Sequence, residues 1–156
     1  DELIATSTRL IVLDCVDNPS NVGSIARTAA ALGWDGLLLD STSSDPLSRR
    51  ALRVSMGTTF KLAFARFSNT KEILDTLHRN GFSTIGLTPH HQSREVTDLR
   101  SLHISGKRAV VLGSERQGLS EESLELCTQL ATIEMAKGVD SLNVASASAI
   151  ACFALL

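Results

Sequence analysis

Three apolar runs, each followed at once by a block rich in Gly, Asn and Ser, constrain the fold of this chain more than any other feature. The blocks span residues 17–27, 112–120 and 133–144. A continuous apolar run predicts a buried strand, and the exits of parallel strands meet at the carboxyl edge of a sheet, where open α/β folds bind ligands. We therefore predict that the three blocks converge on one site, which suggests an enzyme with a small-molecule cofactor.

The rest of the chain alternates between strand and helix patterns. Predicted strands cover 10–16, 36–39, 61–67, 83–88, 107–112 and 130–133, and predicted helices cover 22–32, 49–55, 71–80, 121–127 and 143–156, with a polar connection over 89–106. This order predicts an α/β fold with a parallel sheet flanked by helices on both faces. A length of 156 residues fits one domain over 1–156, with no room in this chain for an N-terminal RNA-binding domain.

Composition excludes several classes of protein. A net charge of −2 excludes binding of nucleic acid by bulk attraction, so any RNA contact needs a local basic patch. Cys15, Cys127 and Cys152 lie in apolar runs and are expected to be buried, reduced thiols without a metal. The apolar stretch 144–156 is too short to span a bilayer, and no signal-peptide pattern is present, so we expect a cytoplasmic protein that has no membrane contact.

Arg27 is the candidate functional side chain of the first block. It lies off the apolar stripe of its helix, four residues after Gly23. Helical side chains lean toward the N-terminus, so Arg27 is expected to pass over Gly23 toward the strand exit. The unpaired N–H groups and positive potential of the helix N-terminus suit an anion. We interpret Arg27 as functional and not as a solvated surface side chain.

The second and third blocks are less specific when taken alone. Gly113 and Gly118 bracket a short polar loop, which fits either a ligand site or a turn before a helix capped by Ser120. Glu115 is a candidate partner for Arg27, because a carboxylate fixes the orientation of a guanidinium. Asn143 has the position of a helix N-cap, and the small residues after it allow close packing or a dimer contact.

Taken together, the three blocks resemble one family. An Asn-x-Gly-x-x-x-Arg block at 21–27, a Gly-Ser-Glu-x-x-Gly-Leu block at 113–119 and a Ser-Leu-Asn block at 141–143 are similar to the SpoU (TrmH-like) branch of the SPOUT RNA methyltransferases. The resemblance covers about residues 10–156 and includes segment 53–57. It implies a deep trefoil knot within about 107–156, a feature that composition would not predict.

The resemblance also implies a chemistry and a set of site residues. It implies S-adenosylmethionine as cofactor, a homodimer, and methyl transfer to a ribose 2′-hydroxyl of tRNA or rRNA without a metal. The catalytic set that it implies is Arg27, Asn21, Glu115, Ser141 and Asn143. The cofactor-binding set that it implies is Leu112, Gly113, Ser114, Gly118, Ile133, Met135, Ser141, Leu142 and Asn143. The chain departs from the family pattern at Glu134, where the family usually has a proline.

Candidate RNA contacts are basic side chains. We predict Arg27, Arg49, Arg50, Arg53 and Arg116 as RNA-binding residues, with Lys61, Arg66, Arg94 and Arg108 as further candidates. Aromatic residues make up only 4% of the chain, which argues against base stacking as the main mode of recognition.

Two alternative functions stay open. A non-catalytic RNA-binding or assembly factor would keep the fold and lose turnover, and Glu134 is the feature that favours it. A nucleotide-binding oxidoreductase is less favoured, because the first strand exit has no Gly-x-Gly-x-x-Gly run.

Overall fold

The computed structural model describes residues 2–156, so Asp1, the first residue of the expected domain, lies outside the described residues. The strands are β1 Arg9–Asp14, β2 Gly36–Leu39, β3 Ala63–Arg66, β4 Ser83–Leu87, β5 Val96–Asp98, β6 Arg108–Gly113 and β7 Gln129–Thr132. The helices are α1 Glu2–Thr6, α2 Pro19–Ala31, α3 Arg49–Ser55, α4 Thr70–Arg79, α5 Glu121–Leu126 and α6 Val144–Ala154. Short 3-10 turns cover Thr58–Lys61 and Leu99–Ser101.

The strands form one sheet in the order β3-β2-β1-β6-β4-β7-β5, and every pairing is parallel. This confirms the predicted α/β class. β1 and β6 are neighbours and end level, with Asp14 opposite Gly113. β7 lies two strands from β6, so residues 133–143 carry the chain back across the sheet to α6, which packs on α2 and β6.

Strand residues alternate between two apolar cores, one on each face of the sheet. In β1, Ile11 and Leu13 face the core that α2 and α6 cover, whereas Leu10 and Val12 face the core that α4 covers. Side chains alternate with a period of two along a strand, so a strand covered on both faces reads as a continuous apolar run. All six predicted strands are therefore found, and β5 is a seventh strand that the sequence analysis did not predict.

Several elements differ from the prediction, among them helix α1, which was not predicted. α2 begins at Pro19 because Asn18 caps it, with Ser20 N donating to Asn18 Oδ1 at 2.9 Å, and because proline in the first turn needs no N–H partner. Asn21 is therefore helical and buried, although the predicted helix began one residue later, at residue 22. The connection 89–106 contains an unpredicted edge strand, β5, which is too short and polar to show an apolar run. The predicted strand 61–67 starts later because 58–61 is a 3-10 turn.

The cysteines do not share one environment. Cys127 and Cys152 are buried, as expected, and their burial raises the pKa of each thiol to about 12. Cys15 is exposed, which corrects the prediction, and it takes a left-handed backbone with φ 58 directly after β1. Strand β1 therefore turns sharply at Cys15 before the first block begins.

Candidate functional site

The side-chain amide of Asn143 joins the three sequence blocks. Its Nδ2 donates to Oδ1 of Asn21 at 3.1 Å and to the carboxylate of Glu115. Its Oδ1 accepts from Ala145 N at 2.9 Å and so caps α6. Three of the five candidate catalytic residues, one from each block, are therefore in contact, so the blocks converge as predicted.

Asn21 carries an unused hydrogen-bond donor. The residue is 6% exposed in the first turn of α2, and its Nδ2 is buried without a hydrogen-bond partner among residues 2–156. An unpaired buried donor costs about 1–3 kcal/mol. The Nδ2 group of Asn21 can therefore donate a hydrogen bond to a ligand. It lies next to Asn143 and Glu115.

The second block folds as a tight loop at the end of β6. Ser114 and Gly118 exchange two backbone hydrogen bonds of 3.0 and 2.9 Å, and Gly118 has φ +71. A Cβ on Gly113 would lie 2.1 Å from the carbonyl carbon of Gly118. Only glycine fits at position 113, because the loop itself fills the space that a side chain would occupy. That space is therefore not available to a ligand. Ser114 Oγ accepts from Gln117 N at 3.1 Å within the same loop.

Asp14 fixes the base of this loop, a role that the sequence analysis missed. Asp14 is 1% exposed at the end of β1. One carboxylate oxygen accepts from Ser120 N and Oγ at 2.8 and 2.9 Å, and the other accepts from Thr70 Oγ1 at 2.8 Å. Asp14 therefore holds the start of α5 and of α4 at the strand exit. The available signal was a single acidic residue inside an apolar run.

The loop 134–142 leaves most of its main chain unpaired. Its only internal backbone hydrogen bond joins Val139 N to Ala136 O at 3.1 Å. Ile133 and Met135 are half-buried beside it, and Leu142 is 38% exposed. Free amides and carbonyls next to apolar side chains suit a planar heterocycle that is bound by main-chain hydrogen bonds. Leu112 is buried in the core, so it can offer such a ligand only its backbone.

Glu134 is fixed by an ion pair. Arg100 Nη2 contacts the carboxylate of Glu134 and lies 2.7 Å from Oδ2 of Asp98. Hydrogen bonds and charge from Asp98, followed by those from Glu134, raise the pKa of Arg100, and Arg100 lowers the pKa of Asp98. Glu134, which stands where the family usually has a proline, thus links the loop 134–142 to the 3-10 turn that follows β5.

Arg27 is exposed on α2 and makes no hydrogen bond or ion pair with residues 2–156. The expected pair with Glu115 is not formed, and Glu115 contacts Asn143 instead. Gly23 also has a different role from the one predicted. A Cβ on Gly23 would lie 2.5 Å from the carbonyl oxygen of Ala51, so this glycine allows α2 and α3 to pack closely. Arg27, four residues on, lies on the same side of α2.

Ser141 is exposed and has no hydrogen bond within residues 2–156, so the structure does not bring it into the contact of Asn21, Glu115 and Asn143.

The candidate RNA-binding residues Arg49, Arg50 and Arg53 are exposed along α3, and Arg116 is exposed in the second block. Arg50 Nε donates to Ser20 Oγ, which links α3 to the start of α2.

Three further candidate arginines instead bind backbone carbonyls. Arg66 donates to Asp40 O and Ser43 O at 2.6 and 2.8 Å, Arg94 to Leu124 O and Cys127 O, and Arg108 to Leu155 O and Leu156 O, both at 2.6 Å. These arginines satisfy carbonyl groups at helix ends and loops. Their prediction as RNA contacts is corrected to a structural role.

Within residues 2–156, no group of three or more His, Cys, Asp and Glu side chains is arranged to hold a metal ion. No helix in the described part of the chain is long and apolar enough to cross a membrane.

Comparison with known proteins identifies relatives over nearly the full chain. The model of the SpoU rRNA Methylase family matches residues 8–153. An uncharacterized tRNA/rRNA methyltransferase of Mycobacterium tuberculosis is 34% identical over 152 residues, which are 97% of this chain and 53% of that protein. The chain thus spans about half the length of the curated relatives that it matches.

Solved structures show the same fold. The AdoMet-bound rRNA methyltransferase of Sinorhizobium meliloti superposes with a TM-score of 0.87 at 30% identity, covering 97% of this chain and 58% of that one. An RNA 2′-O ribose methyltransferase superposes with a TM-score of 0.81 at 26% identity, covering 93% of this chain and 54% of that one.

Proposed function

The chain belongs to the SpoU rRNA methylase family, and we propose that it transfers a methyl group from S-adenosylmethionine to a ribose 2′-hydroxyl of tRNA or rRNA. The observation that carries the proposal is the contact of Asn143 with Asn21 and Glu115, because it joins the three family blocks at the carboxyl edge of the sheet. The AdoMet-bound and 2′-O-methylating neighbours support the choice of cofactor and of acceptor group.

The loop after β7 has the properties that this cofactor needs. Unpaired main-chain groups in 134–142 can hydrogen-bond the adenine edge, and Ile133, Met135 and Leu142 can pack on its faces. The main chain of Leu112 and Gly113 lies at the adjacent strand exit. The bound sulfonium supplies a methyl group that is already activated, so the protein's task is to align the acceptor and to favour loss of its proton. Alignment alone can lower the barrier by several kcal/mol.

Arg27 is the residue that we assign to the acceptor oxygen. A guanidinium stays protonated and has no acceptor, so Arg27 donates to the ribose oxygen and stabilises the alkoxide that develops there. A substrate phosphate or water takes the proton. The N-terminus of α2 adds positive potential, and the unpaired Nδ2 of Asn21 is a second donor on the same helix.

The dimer that the resemblance implies has a suitable surface in α6. This helix is apolar on nearly all sides, and its outward residues Ile150 and Phe153 are 42% and 70% exposed, with Leu156, just beyond its end, 48% exposed. A helix that is apolar all round is normally buried. We assign this face to contact with a second copy of the chain.

Calorimetric titration with S-adenosylmethionine and S-adenosylhomocysteine, with NADH as control, tests the cofactor. We expect binding of the first two at micromolar concentration and none of NADH. Incubation of total RNA with methyl-labelled cofactor then tests the reaction. A 2′-O-methyl group blocks alkaline cleavage at its own linkage, so label in alkali-resistant dinucleotides supports the proposal and label in mononucleotides contradicts it.

The alternative of a non-catalytic RNA-binding factor gives a different result in the same assays. It predicts RNA binding without label transfer to any RNA. Glu134, the feature that favoured it, is paired with Arg100 and so does not bring an unpaired charge to the loop. NADH binding would instead favour the oxidoreductase.

A further inference from the structure

We propose that Phe60, together with Met56, is a stacking platform for an unpaired base of the RNA substrate. This inference rests on the proposed function, because it takes RNA as the substrate. It assigns a position and a kind of contact that the family blocks do not supply, and it predicts that the enzyme prefers single-stranded RNA beside the reacting ribose.

Two large apolar side chains project into solvent between α3 and β3. Met56 and Phe60 are each 72% exposed, although the chain has a well-formed core elsewhere. Met56 has a left-handed backbone with φ 52, held by the hydrogen bond from Gly57 N to Leu52 O at 3.1 Å. This conformation is strained for a residue with a side chain. The backbone after α3 thus directs Met56 away from the core.

Positively charged residues flank this apolar pair along the chain. Residues 46–71 contain no Asp or Glu, although acidic residues outnumber basic ones in the chain as a whole. Arg49, Arg50, Arg53 and Lys61 are exposed, and none of them forms an ion pair within residues 2–156. Clustered unpaired cations are the local basic patch that the net charge of −2 requires for RNA binding.

The same segment is attached to the helix that carries the candidate catalytic residues. Gly23 of α2 packs against Ala51, and Arg50 contacts Ser20, one residue before Asn21. The 3-10 turn that holds Phe60 also packs on α2, and the hydroxyl groups of Ser55 and Thr59, both buried, are joined at 2.9 Å. Because Arg27 lies on the side of α2 that faces α3, RNA bound along 49–61 leads to Arg27.

An unpaired base fits this surface better than a duplex or a second copy of the chain. A phenyl ring can stack on a base only where the face of that base is free, as in loops and single strands. A second copy is disfavoured, because a twofold contact places the same patch against itself and so brings the cations of both copies together. Low aromatic content argued against stacking as the main mode of recognition, but one exposed ring beside four exposed cations without ion pairs within residues 2–156 can hold one base.

Fluorescence anisotropy with a short single-stranded RNA and a duplex of the same sequence tests the proposal. We expect Phe60→Leu, which keeps an apolar side chain but removes the ring, to weaken single-strand binding about tenfold and to leave duplex binding unchanged. Phe60→Trp should retain affinity, and its fluorescence should be quenched by single-stranded RNA. The native Trp34 is 3% exposed, so it does not contribute to that change.

Matched variants separate stacking from charge and from folding. Arg53→Gln should weaken the binding of both RNAs and reduce its salt dependence, whereas calorimetric cofactor affinity should be equal in Phe60→Leu and wild type. Equal single-strand affinity of Phe60→Leu and wild type would overturn the stacking site and leave the methyltransferase proposal intact. A change in oligomeric state caused by Phe60→Leu would also overturn the stacking site. Failure of the wild-type protein to bind either short RNA would also overturn the stacking site, whereas the methyltransferase proposal is overturned separately, by absence of label transfer to total RNA.

Discussion

Nδ2 of Asn143 lies 3.1 Å from Oδ1 of Asn21, so the cap of α6 and the first turn of α2 share a hydrogen bond across 122 residues of chain. The same amide contacts Glu115 and, through Oδ1, caps its own helix. Formation of the last helix and assembly of the candidate site therefore depend on one side chain. Substitution of this residue should affect both stability and ligand binding.

We expect Asn143→Ala to lower the free energy of unfolding by about 1 kcal/mol, because α6 loses its N-cap. Cofactor affinity should fall as well, because Asn21 and Glu115 lose their shared donor. Thermal unfolding and calorimetric titration measure the two effects. Asn69→Ala is the matched control, since Asn69 caps α4 on the opposite face of the sheet through a 2.9 Å bond from Glu72 N. It should show a similar loss of stability with unchanged cofactor affinity, and equal cofactor loss in both variants would contradict the role of Asn143.

Arg27→Lys should reduce the rate of methyl transfer by about 10²–10³-fold, because an ammonium does not reproduce the planar donor geometry of a guanidinium. Stability and cofactor affinity should stay at wild-type values, since Arg27 is exposed and unpaired within residues 2–156. Single-turnover kinetics and calorimetry measure the effects.

Arg79→Lys, an exposed arginine on α4, is the control for Arg27→Lys and should transfer methyl at the wild-type rate. Near-normal turnover by Arg27→Lys would remove Arg27 from the reaction.

Phe153→Glu should convert a dimer to a monomer, because it places a charge in the apolar outer face of α6. Phe153 is 70% exposed in the single chain, which leaves its ring without a partner. Light scattering coupled to size-exclusion chromatography measures the mass of the species. Leu47→Glu, at an apolar residue that is 41% exposed outside α6, should leave that mass unchanged. A monomeric wild-type protein at micromolar concentration would exclude the proposed interface.

Cys15→Ser should abolish the reaction of the native protein with a disulfide reagent, because Cys15 is the exposed thiol among the three. Partial burial, together with the carboxylates of Asp40 and Asp14, raises the pKa of Cys15. The thiolate is the reactive form, so the rate should still be rising as pH increases above about 8.5. Absorbance of the released thiolate should report one group in the native protein and three in denaturant. Two or more rapidly reacting groups in the native protein would contradict the buried positions of Cys127 and Cys152.

The sequence predicts the parallel sheet because buried strands such as β1 and β6 read as apolar runs that alternate with helices. It also predicts that the three blocks converge, because each follows a strand at one sheet edge, although the partner that it favoured for Glu115 was Arg27 and the observed partner is Asn143. β5 carries no comparable pattern and is defined by its pairing with β7. The knot within about 107–156 stays a prediction of the family resemblance.

Sequence patterns do not predict which side chains meet when they are distant in the chain. Arg66, Arg94 and Arg108 look like surface cations in the sequence, yet each finds backbone carbonyls distant in the chain. The ion pair of Glu134 with Arg100 joins residues 34 positions apart. Such contacts depend on the path of the chain and not on local spacing.

Arg100→Ala should weaken cofactor binding by about twofold to fivefold, because it releases Glu134 and so loosens the loop that begins there; the effect is small because the ion pair is exposed to solvent. Salt screens such pairs, so the difference from wild type should shrink as ionic strength rises toward about 1 M. Glu134→Pro, which restores the family residue, should bind the cofactor at least as tightly as wild type, since proline stiffens the loop without the ion pair. Lys71→Ala is the matched control, because it removes an exposed pair with Asp75 on α4, which covers the opposite face of the sheet from α6, and should leave cofactor affinity unchanged. Calorimetry at low and high salt distinguishes the cases: equal affinities of Arg100→Ala and wild type at low salt would show that the loop keeps its conformation without the ion pair.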